Sequence, residues 1–243
     1  MGMTKQAYDE QGYNIPVHWM RHPTDKKGRL FYGYWNAAVA RVPKSAKTGR
    51  VADAGSGDGR VLGLLRDAGF KHLTGIDYSK RALQFVEGII PDAQLVRADL
   101  KKIPLAGDTF DAIVCIETME HIHPEELPLV CKELARILKP GGTLVVTVPG
   151  VGYGPAKGAH YQHFTVESLT KYLSVDLKVK KIEGQDRMGF HPLKVLYTFM
   201  DNPWWDLKKW SRWYNLHIWP RYFNVCEAEK GRRLIATCVK PAL

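Results

Sequence analysis

VADAGSGDGR, residues 51–60, places three alternating glycines between a short apolar run and an amphipathic segment. Val51 to Asp53 predicts a buried strand, and Gly59 to Ala68 predicts a helix that ends at Gly69. Glycines at such a junction let the backbone approach a ligand closely and adopt torsion angles that a side chain forbids. A dinucleotide-binding loop would carry another glycine where this sequence has Arg60. The loop alone therefore leaves the identity of the ligand open.

Strands and helices alternate from Arg50 to Pro149. A cap at Ser79 starts one helix, which runs to about Glu87, and another extends from about Pro124 to Leu138. The turn KPGG, residues 139–142, precedes the fifth strand. This alternation predicts a doubly wound α/β fold, with a parallel sheet covered on both faces. The strands predicted after the first are Leu73–Ile76, Gln94–Arg97, Phe110–Ile116 and Thr143–Val148.

Two regions lie outside this core. The first includes an aromatic-rich helix, Leu30 to Ala40, which we expect to pack over the edge of the sheet. In the second, two predicted strands, Leu177–Ile182 and Leu234–Val239, are separated by a tryptophan-rich insert. We therefore expect one domain over residues 1–243. Its parts are an N-terminal helical cap (1–49), a Rossmann-like core (50–183 and 232–241) and a helical lid (184–231).

Acidic side chains lie at the ends of the second and third predicted strands. Asp77 ends the second strand, where a carboxylate can accept hydrogen bonds from both hydroxyls of a ribose. Asp99 follows the third strand and is placed to accept from an adenine amine, while the Leu100 N–H can reach a ring nitrogen. These positions favour a ligand that contains adenosine.

The glycine loop, Asp77, the Ala98-Asp99-Leu100 step and the KPGG turn together resemble the class I S-adenosylmethionine-dependent methyltransferases, in particular their small-molecule subgroup. The resemblance covers about residues 50–173 and the last strand. It implies S-adenosylmethionine as cofactor and a seven-stranded sheet whose last strand is antiparallel and lies beside Leu177–Ile182. Asp53 and its neighbouring glycines would hold the methionine end of the cofactor, Asp77 the ribose, and Asp99 with Leu100 the adenine. The implied cofactor-binding set is Asp53, Gly55, Ser56, Gly57, Gly59, Asp77, Tyr78, Asp99, Leu100 and Glu117.

Two histidines are the predicted catalytic residues. Methyl transfer needs mainly an aligned and dry site, but a hydroxyl acceptor benefits from a general base. His121 follows the fourth strand in ETMEH, residues 117–121, and His163 lies in HYQHFT, residues 160–165. Both would face the acceptor, at the carboxyl ends of the strands. The alternative is structural, since a Glu-His pair after this strand is common in the family without a catalytic role.

A metal site is a further alternative at the same place. Glu117, Glu120 and His121, with a later histidine, are similar to metal-dependent small-RNA 2′-O-methyltransferases and to some quinone O-methyltransferases. Magnesium prefers ligands that are all oxygen, which this set does not offer. The sequence prediction is therefore that no metal is bound.

The charge of the chain indicates anionic partners. Its formal net charge is +10 and its pI is about 9.4, which favours a nucleic acid, a phosphorylated small molecule or an anionic membrane surface. The alternative is a solvated basic surface without a partner. The cysteines form no C-x-x-C pair, and the N-terminus has no apolar signal core. We expect a cytoplasmic protein, with peripheral contact to a membrane as an option.

The insert holds five of the seven tryptophans, and its spacing predicts one long helix. Asn202-Pro203 would begin this helix and Pro220 would end it. Three interpretations compete: a lid with buried tryptophans, an interfacial helix on anionic lipid, and a surface that stacks on RNA bases. The last has no recognised RNA-binding signature to support it. The residues of the predicted aromatic face are Leu207, Trp210, Trp213, Tyr214 and His217.

These observations together predict a methyltransferase that acts on a small-molecule or lipid-linked acceptor, at oxygen. An RNA methyltransferase, with nucleic acid as partner, is the second hypothesis. The third is a regulator that binds the cofactor without catalysis.

Overall fold

The computed structural model describes residues 13–200 and 207–242, and a single mixed sheet forms the centre of the fold. Its strands are β1 (Arg50–Ala54), β2 (His72–Asp77), β3 (Gln94–Arg97), β4 (Phe110–Ile116), β5 (Leu138–Pro149), β6 (Lys178–Arg187), β7 (Val225–Cys226) and β8 (Gly231–Val239). Within the described residues their order is β3-β2-β1-β4-β5-β8-β6-β7.

Helices connect most of these strands. They are α1 (Lys26–Val39), α2 (Arg60–Asp67), α3 (Lys80–Ile89), α4 (Leu127–Ile137), α5 (Val166–Leu173), α6 (Pro192–Met200), α7 (Lys208–His217) and α8 (Trp219–Tyr222). Ser79 caps α3 by accepting from the Ala82 N–H at 3.1 Å, as its sequence position predicts.

The sheet confirms the predicted α/β fold. Strands β1 to β5 are mutually parallel where they pair, while β8 runs antiparallel between β5 and β6. Alternate residues of β4 enter different apolar clusters, Ile113 and Cys115 on one face and Ala112 and Val114 on the other. Helices therefore cover both faces of the sheet, which is the doubly wound arrangement.

The described sheet has eight strands, where seven were predicted. β6 extends beyond the expected end at Ile182 to Arg187, and its added length offers edge hydrogen-bonding groups. Val225–Cys226 pairs with this extension as β7. The predicted KPGG turn is also modified. It lies inside β5 as a bulge, since the register with β4 shifts between Phe110 and Ala112 and Gly141 has a φ of +76°.

Helix α1 does not lie over the edge of the sheet, so that expectation is wrong. Its buried Tyr34, Trp35 and Ala38 share a cluster with Val145 of β5 and Ile235 of β8, which are central strands. An aromatic-rich helix can bury more apolar surface over the middle of a sheet than at its rim, and this accounts for its position.

The insert is helical, but it is not one long helix. α7 ends at His217, and Pro220 lies in the first turn of α8, where its missing N–H costs nothing. The predicted start at Asn202-Pro203, together with Trp204 and Trp205, lies outside the described residues.

The predicted aromatic face of the insert is only partly buried. Tyr214 and Trp219 pack with Tyr197 and Phe223, and the Arg29 guanidinium stacks 3.9 Å from the Tyr197 ring centroid and 4.0 Å from that of Trp219. Trp210 and Trp213, in contrast, are 61% and 50% exposed, so a lid with these tryptophans buried is wrong. No helix in the described part of the chain is long and apolar enough to cross a bilayer.

Candidate active site

The glycine loop after β1 has the backbone that its sequence predicts. Gly55, Gly57 and Gly59 all have positive φ, at 81°, 50° and 79°. A Cβ at Gly55 would lie 2.4 Å from the Thr118 side chain, so a larger residue there is excluded by space as well as by torsion. Gly59 is the N-cap of α2. The loop is thus a tight backbone cradle at the carboxyl ends of parallel strands.

Asp77 at the end of β2 organises this loop. Its Oδ2 accepts from the Gly57 N–H at 2.9 Å, and its Oδ1 accepts from the Ser79 N–H at 2.9 Å. The Asp77 carboxylate therefore links the glycine loop to the start of α3. This position at the end of the second strand is the one that the sequence assigned to the ribose.

Asp53 is buried in the floor of the cradle. It is 1% exposed, and its Oδ2 has no hydrogen-bond partner among the described residues. Burial, followed by the neighbouring charges of Asp77 and Asp58, raises the pKa of Asp53 to about 8. A buried carboxyl group held in this way is suited to a cationic group of a ligand.

The predicted adenine position is more open. Asp99 is exposed, and its Oδ1 accepts from the Lys101 N–H at 2.9 Å while its Oδ2 lies 3.4 Å from Lys101 Nζ. Leu100 is buried and Tyr78 is half-buried. The side chains that would bound an adenine are thus a carboxylate at the surface and an apolar residue beneath it.

Glu117 follows β4 in a left-handed conformation, with a φ of +49° that is unusual for a side chain of this size. Arg233 Nε donates to its Oε2 at 2.8 Å, and Thr147 Oγ1 donates to its Oε1 at 3.2 Å. Arg233 is buried, with its guanidinium 4.5 Å from the Tyr34 ring centroid and 4.9 Å from that of Tyr153. The Glu117 carboxylate is therefore paired within the protein, and its cofactor role stays a prediction.

The two predicted catalytic histidines are brought together through a third. His163 Nδ1 lies 2.6 Å from the Gly154 carbonyl oxygen, and its Nε2 lies 3.0 Å from His160 Nδ1. The His160 ring is in turn 4.8 Å from the ring of His121, centroid to centroid. Burial, then the charges of His121 and His163, lowers the pKa of His160 to about 4, so this ring is neutral at pH 7. His160 was not in the predicted site, although its spacing of three from His163 hinted at it.

The turn that carries His121 begins beside the glycine loop. Thr118 Oγ1 donates to the Ile116 carbonyl at 3.1 Å, and its side chain faces Gly55. His121 is three residues farther along, in the 3₁₀ turn Met119–His121. The loop that carries His160 and His163 is attached to this turn, because the Tyr161 N–H donates to the Glu120 carbonyl at 2.8 Å. The cradle and the histidine chain therefore both lie at the carboxyl ends of the parallel strands.

Residues before α1 also cover the cradle, which the sequence did not indicate. The His18 N–H donates to Asp58 Oδ2 at 2.9 Å, and Trp19 Nε1 donates to the Asp58 carbonyl at 2.8 Å. The Tyr13 hydroxyl lies 2.8 Å from where a Cβ of Gly57 would stand. No local pattern marks such contacts, since the partners are about 40 residues apart in the chain.

Known proteins share this architecture. Residues 52–146 match the model of a family described as a methyltransferase domain. A probable S-adenosylmethionine-dependent methyltransferase of Mycolicibacterium smegmatis is 26% identical over 144 residues, or 58% of this chain and 55% of that protein. The matched region, residues 52–146, is a methyltransferase domain, and its fold is that of the class I enzymes. S-Adenosylmethionine is the methyl donor of this family.

Relatives of this methyltransferase domain act at different atoms. A ubiquinone/menaquinone biosynthesis C-methyltransferase of Syntrophotalea carbinolica is 30% identical over 117 residues, covering 46% of this chain and 48% of that protein. A malonyl-[acyl-carrier protein] O-methyltransferase of Enterobacter lignolyticus is 33% identical over 112 residues, covering 46% and 43%. The chain thus spans about half the length of the curated relatives it matches.

A solved structure matches over the whole fold. The [4+2]-cyclase SpnF is 15% identical, with a TM-score of 0.67 over 100% of this chain and 98% of that chain. At this identity the likeness is one of fold alone. Because that protein is described as a cyclase, the fold of a methyltransferase domain does not by itself fix the reaction.

The residues of the site fit S-adenosylmethionine. Beside the glycine loop, the buried Asp53 Oδ2 and Ser56 Oγ have no hydrogen-bond partner within the described residues. A carboxylate and a hydroxyl are complementary to the ammonium and carboxylate of the methionine end, as backbone N–H groups are to anionic oxygens.

Proposed function

We propose that this chain is an active methyltransferase that transfers the methyl group of S-adenosylmethionine to oxygen of a small-molecule or lipid-linked acceptor. In this proposal Asp53 and Ser56, with the backbone at Gly55, Gly57 and Gly59, hold the methionine end. Asp77 accepts from the ribose hydroxyls, and Tyr78, Asp99 and Leu100 surround the adenine. Glu117, fixed by Arg233, limits the site on the acceptor side.

The observation that carries the proposal is the histidine chain beside the cradle. His121 Nδ1 is 3.2 Å from the Ala159 carbonyl, which can only accept, so this nitrogen carries the proton in the neutral ring. His121 Nε2 then bears a lone pair and can take a proton from an acceptor hydroxyl. The loss of that proton leaves an alkoxide or phenolate, which attacks the methyl group and neutralises the sulfonium. His163 acts through His160, whose ring it orients.

We expect His121→Ala to lower turnover about 100-fold while the affinity for S-adenosylmethionine stays the same, since a general base contributes in the transition state rather than in cofactor binding. The assay follows tritium from methyl-labelled cofactor into phenols with and without an isoprenoid tail, presented in anionic mixed micelles, and into tRNA. His123→Ala is the matched control, because His123 is an exposed histidine two residues away. Label in tRNA, methylation at carbon, or equal turnover in His121→Ala would contradict the proposal.

The charge state of Asp53 gives a second test. With a pKa of about 8, this carboxyl is about 90% protonated at pH 7, and an ammonium group bound beside it favours the ionised form. Binding of S-adenosylmethionine at pH 7 should therefore release close to one proton, and affinity should rise as the pH increases toward about 8. Calorimetry in buffers of different ionisation enthalpy measures this release. Asp53→Asn should abolish it, and a release unchanged in that variant would remove Asp53 from the site.

The exposed surface of the insert supports a lipid-linked acceptor. On α6, Val195 and Phe199 lie opposite the buried Tyr197 and are exposed. On α7, Trp210 and Trp213 form an exposed stripe that is flanked by basic residues. Aromatic anchors with a cationic flank suit the interface of an anionic bilayer, and the net charge of +10 favours the same partner. In this proposal, the surface brings the domain to the membrane that holds the acceptor. The basic flank consists of Lys208, Lys209 and Arg212.

A further inference from the structure

A compact group of ligand-type side chains lies beside the cradle. Glu120, His121 and His160 each offer a ligand atom, and these atoms all lie within 4.8 Å of one another. The three residues come from two segments, the turn after β4 and the loop after β5, which the Tyr161 N–H bond to the Glu120 carbonyl holds together. Their proximity is therefore a product of the fold rather than of a single flexible loop.

Glu120 is buried without a hydrogen-bond partner in the part of the chain that the structure describes. The residue is 1% exposed, and neither carboxylate oxygen accepts a hydrogen bond from another described residue. Arg233, whose charge acts on Glu120, is already bound to Glu117 at 2.8 Å. A buried carboxyl group without a partner takes up a proton, and burial, followed by the charge of Glu117, raises the pKa of Glu120 well above its usual range. A cation bound beside it would favour the ionised form instead.

The contacts of the three histidines fix which ring nitrogens carry lone pairs. The Gly154 carbonyl requires a proton on His163 Nδ1, so in the neutral ring His163 Nε2 is an acceptor. His160 Nδ1 must then donate to it, which leaves the lone pair of His160 on Nε2. The Ala159 carbonyl fixes His121 in the same tautomer. Metal-binding histidines are commonly oriented in this way, with the second ring nitrogen donating to a carbonyl or another group of the protein.

From these contacts we infer that Glu120, His121 and His160 form a binding site for a divalent first-row transition-metal cation, of which Zn²⁺ and Co²⁺ are the convenient probes. One carboxylate and two imidazoles are a donor set for such ions and not for Mg²⁺ or Ca²⁺. Ligand atoms about 2.1 Å from a tetrahedral ion lie roughly 3.4 Å apart. Side-chain rotations that move the ligand atoms by about 1 Å would therefore bring all three into contact with the ion. The fourth position is left to water or an acceptor oxygen.

The proposed site departs from the sequence prediction that no metal is bound. It also differs from the sequence alternative, which comprised Glu117, Glu120, His121 and a later histidine. Glu117 is engaged by Arg233 and is not among the ligands, and His160 is the later histidine. Its consequence for catalysis rests on the proposed function. With a cation bound, His121 would be a metal ligand and could not take a proton, so its role as general base belongs to the metal-free protein. The cation would instead lower the pKa of an acceptor hydroxyl bound to it.

The test is metal binding to the full chain, measured without turnover. Protein treated with EDTA and then dialysed is expected to bind one Co²⁺ with the visible absorption of a site containing nitrogen ligands, and Zn²⁺ should displace it. Glu120→Gln and His160→Ala should each weaken this binding at least tenfold. His123→Ala, which removes an exposed histidine outside the cluster, should not.

Each outcome bears on this site separately from the proposed function. Co²⁺ binding that is absent, or unchanged in Glu120→Gln and His160→Ala, overturns the metal site. Thermal unfolding in EDTA checks that both variants fold, and Glu120→Gln keeps the volume of the buried side chain. Affinity for S-adenosylmethionine, measured in the same samples, should be equal in all of them. A wild-type protein that binds Co²⁺ but does not bind S-adenosylmethionine would contradict the proposed function without contradicting the metal site.

Discussion

Replacing Asp77 by alanine is expected to weaken the binding of S-adenosylmethionine by about 100-fold or more. Two effects add. The ribose would lose charge-assisted hydrogen bonds in a buried position, and the Gly57 and Ser79 N–H groups would lose the acceptors that hold them at 2.9 Å. A loss of about 3 kcal/mol corresponds to this change in dissociation constant.

Calorimetric titration with S-adenosylmethionine measures the effect directly. Asp92→Ala is the matched control, since Asp92 is an exposed aspartate in the turn before β3. Asp77→Asn separates the two contributions, because its amide oxygen can still accept one backbone N–H but carries no charge. An Asp77→Ala protein that folds and binds the cofactor as tightly as the wild type would remove Asp77 from the binding site.

The core of the fold could be predicted because its signals are local. The glycine loop, the cap at Ser79 and the alternation of apolar runs each depend on neighbouring residues. Positive φ at Gly55, Gly57 and Gly59 is a direct consequence of the sequence. The missed β7 and the misplaced α1 depend instead on how far β6 extends and on which face offers more apolar surface.

Only the part of the candidate site that depends on local signals could be predicted. Asp77 and Asp53 are found at strand ends, as their positions in the sequence require. The Arg233–Glu117 pair could not be foreseen, since its members are 116 residues apart. Glu117 follows β4 and Arg233 lies on β8, and these strands come to flank β5 only in the folded sheet. The same holds for His160, which reaches His121 because two loops are joined by one backbone hydrogen bond.

Vesicles that contain anionic phosphatidylglycerol are expected to sediment this protein, whereas vesicles of neutral phosphatidylcholine are not. The basic flank of α7 would be attracted to the anionic headgroups, so binding should weaken as salt is added. The indoles of Trp210 and Trp213 are exposed and available to enter the interface. If the basic residues formed only a solvated surface without a lipid partner, the protein would sediment equally with the two kinds of vesicle.

The double variant Trp210→Ser, Trp213→Ser should reduce the partition onto anionic vesicles by about 100-fold, because each partly inserted indole contributes about 1.4 kcal/mol. Leu129→Ser with Val175→Ser is the matched control, as both residues are exposed and apolar but lie outside the insert. If the charges alone carried the binding, the tryptophan variant would sediment like the wild type and only salt would release it. That result, or an absence of binding to anionic vesicles, would leave the exposed tryptophans without a lipid partner. Binding to tRNA that the same variant abolishes would instead assign this surface to nucleic acid, through stacking on bases.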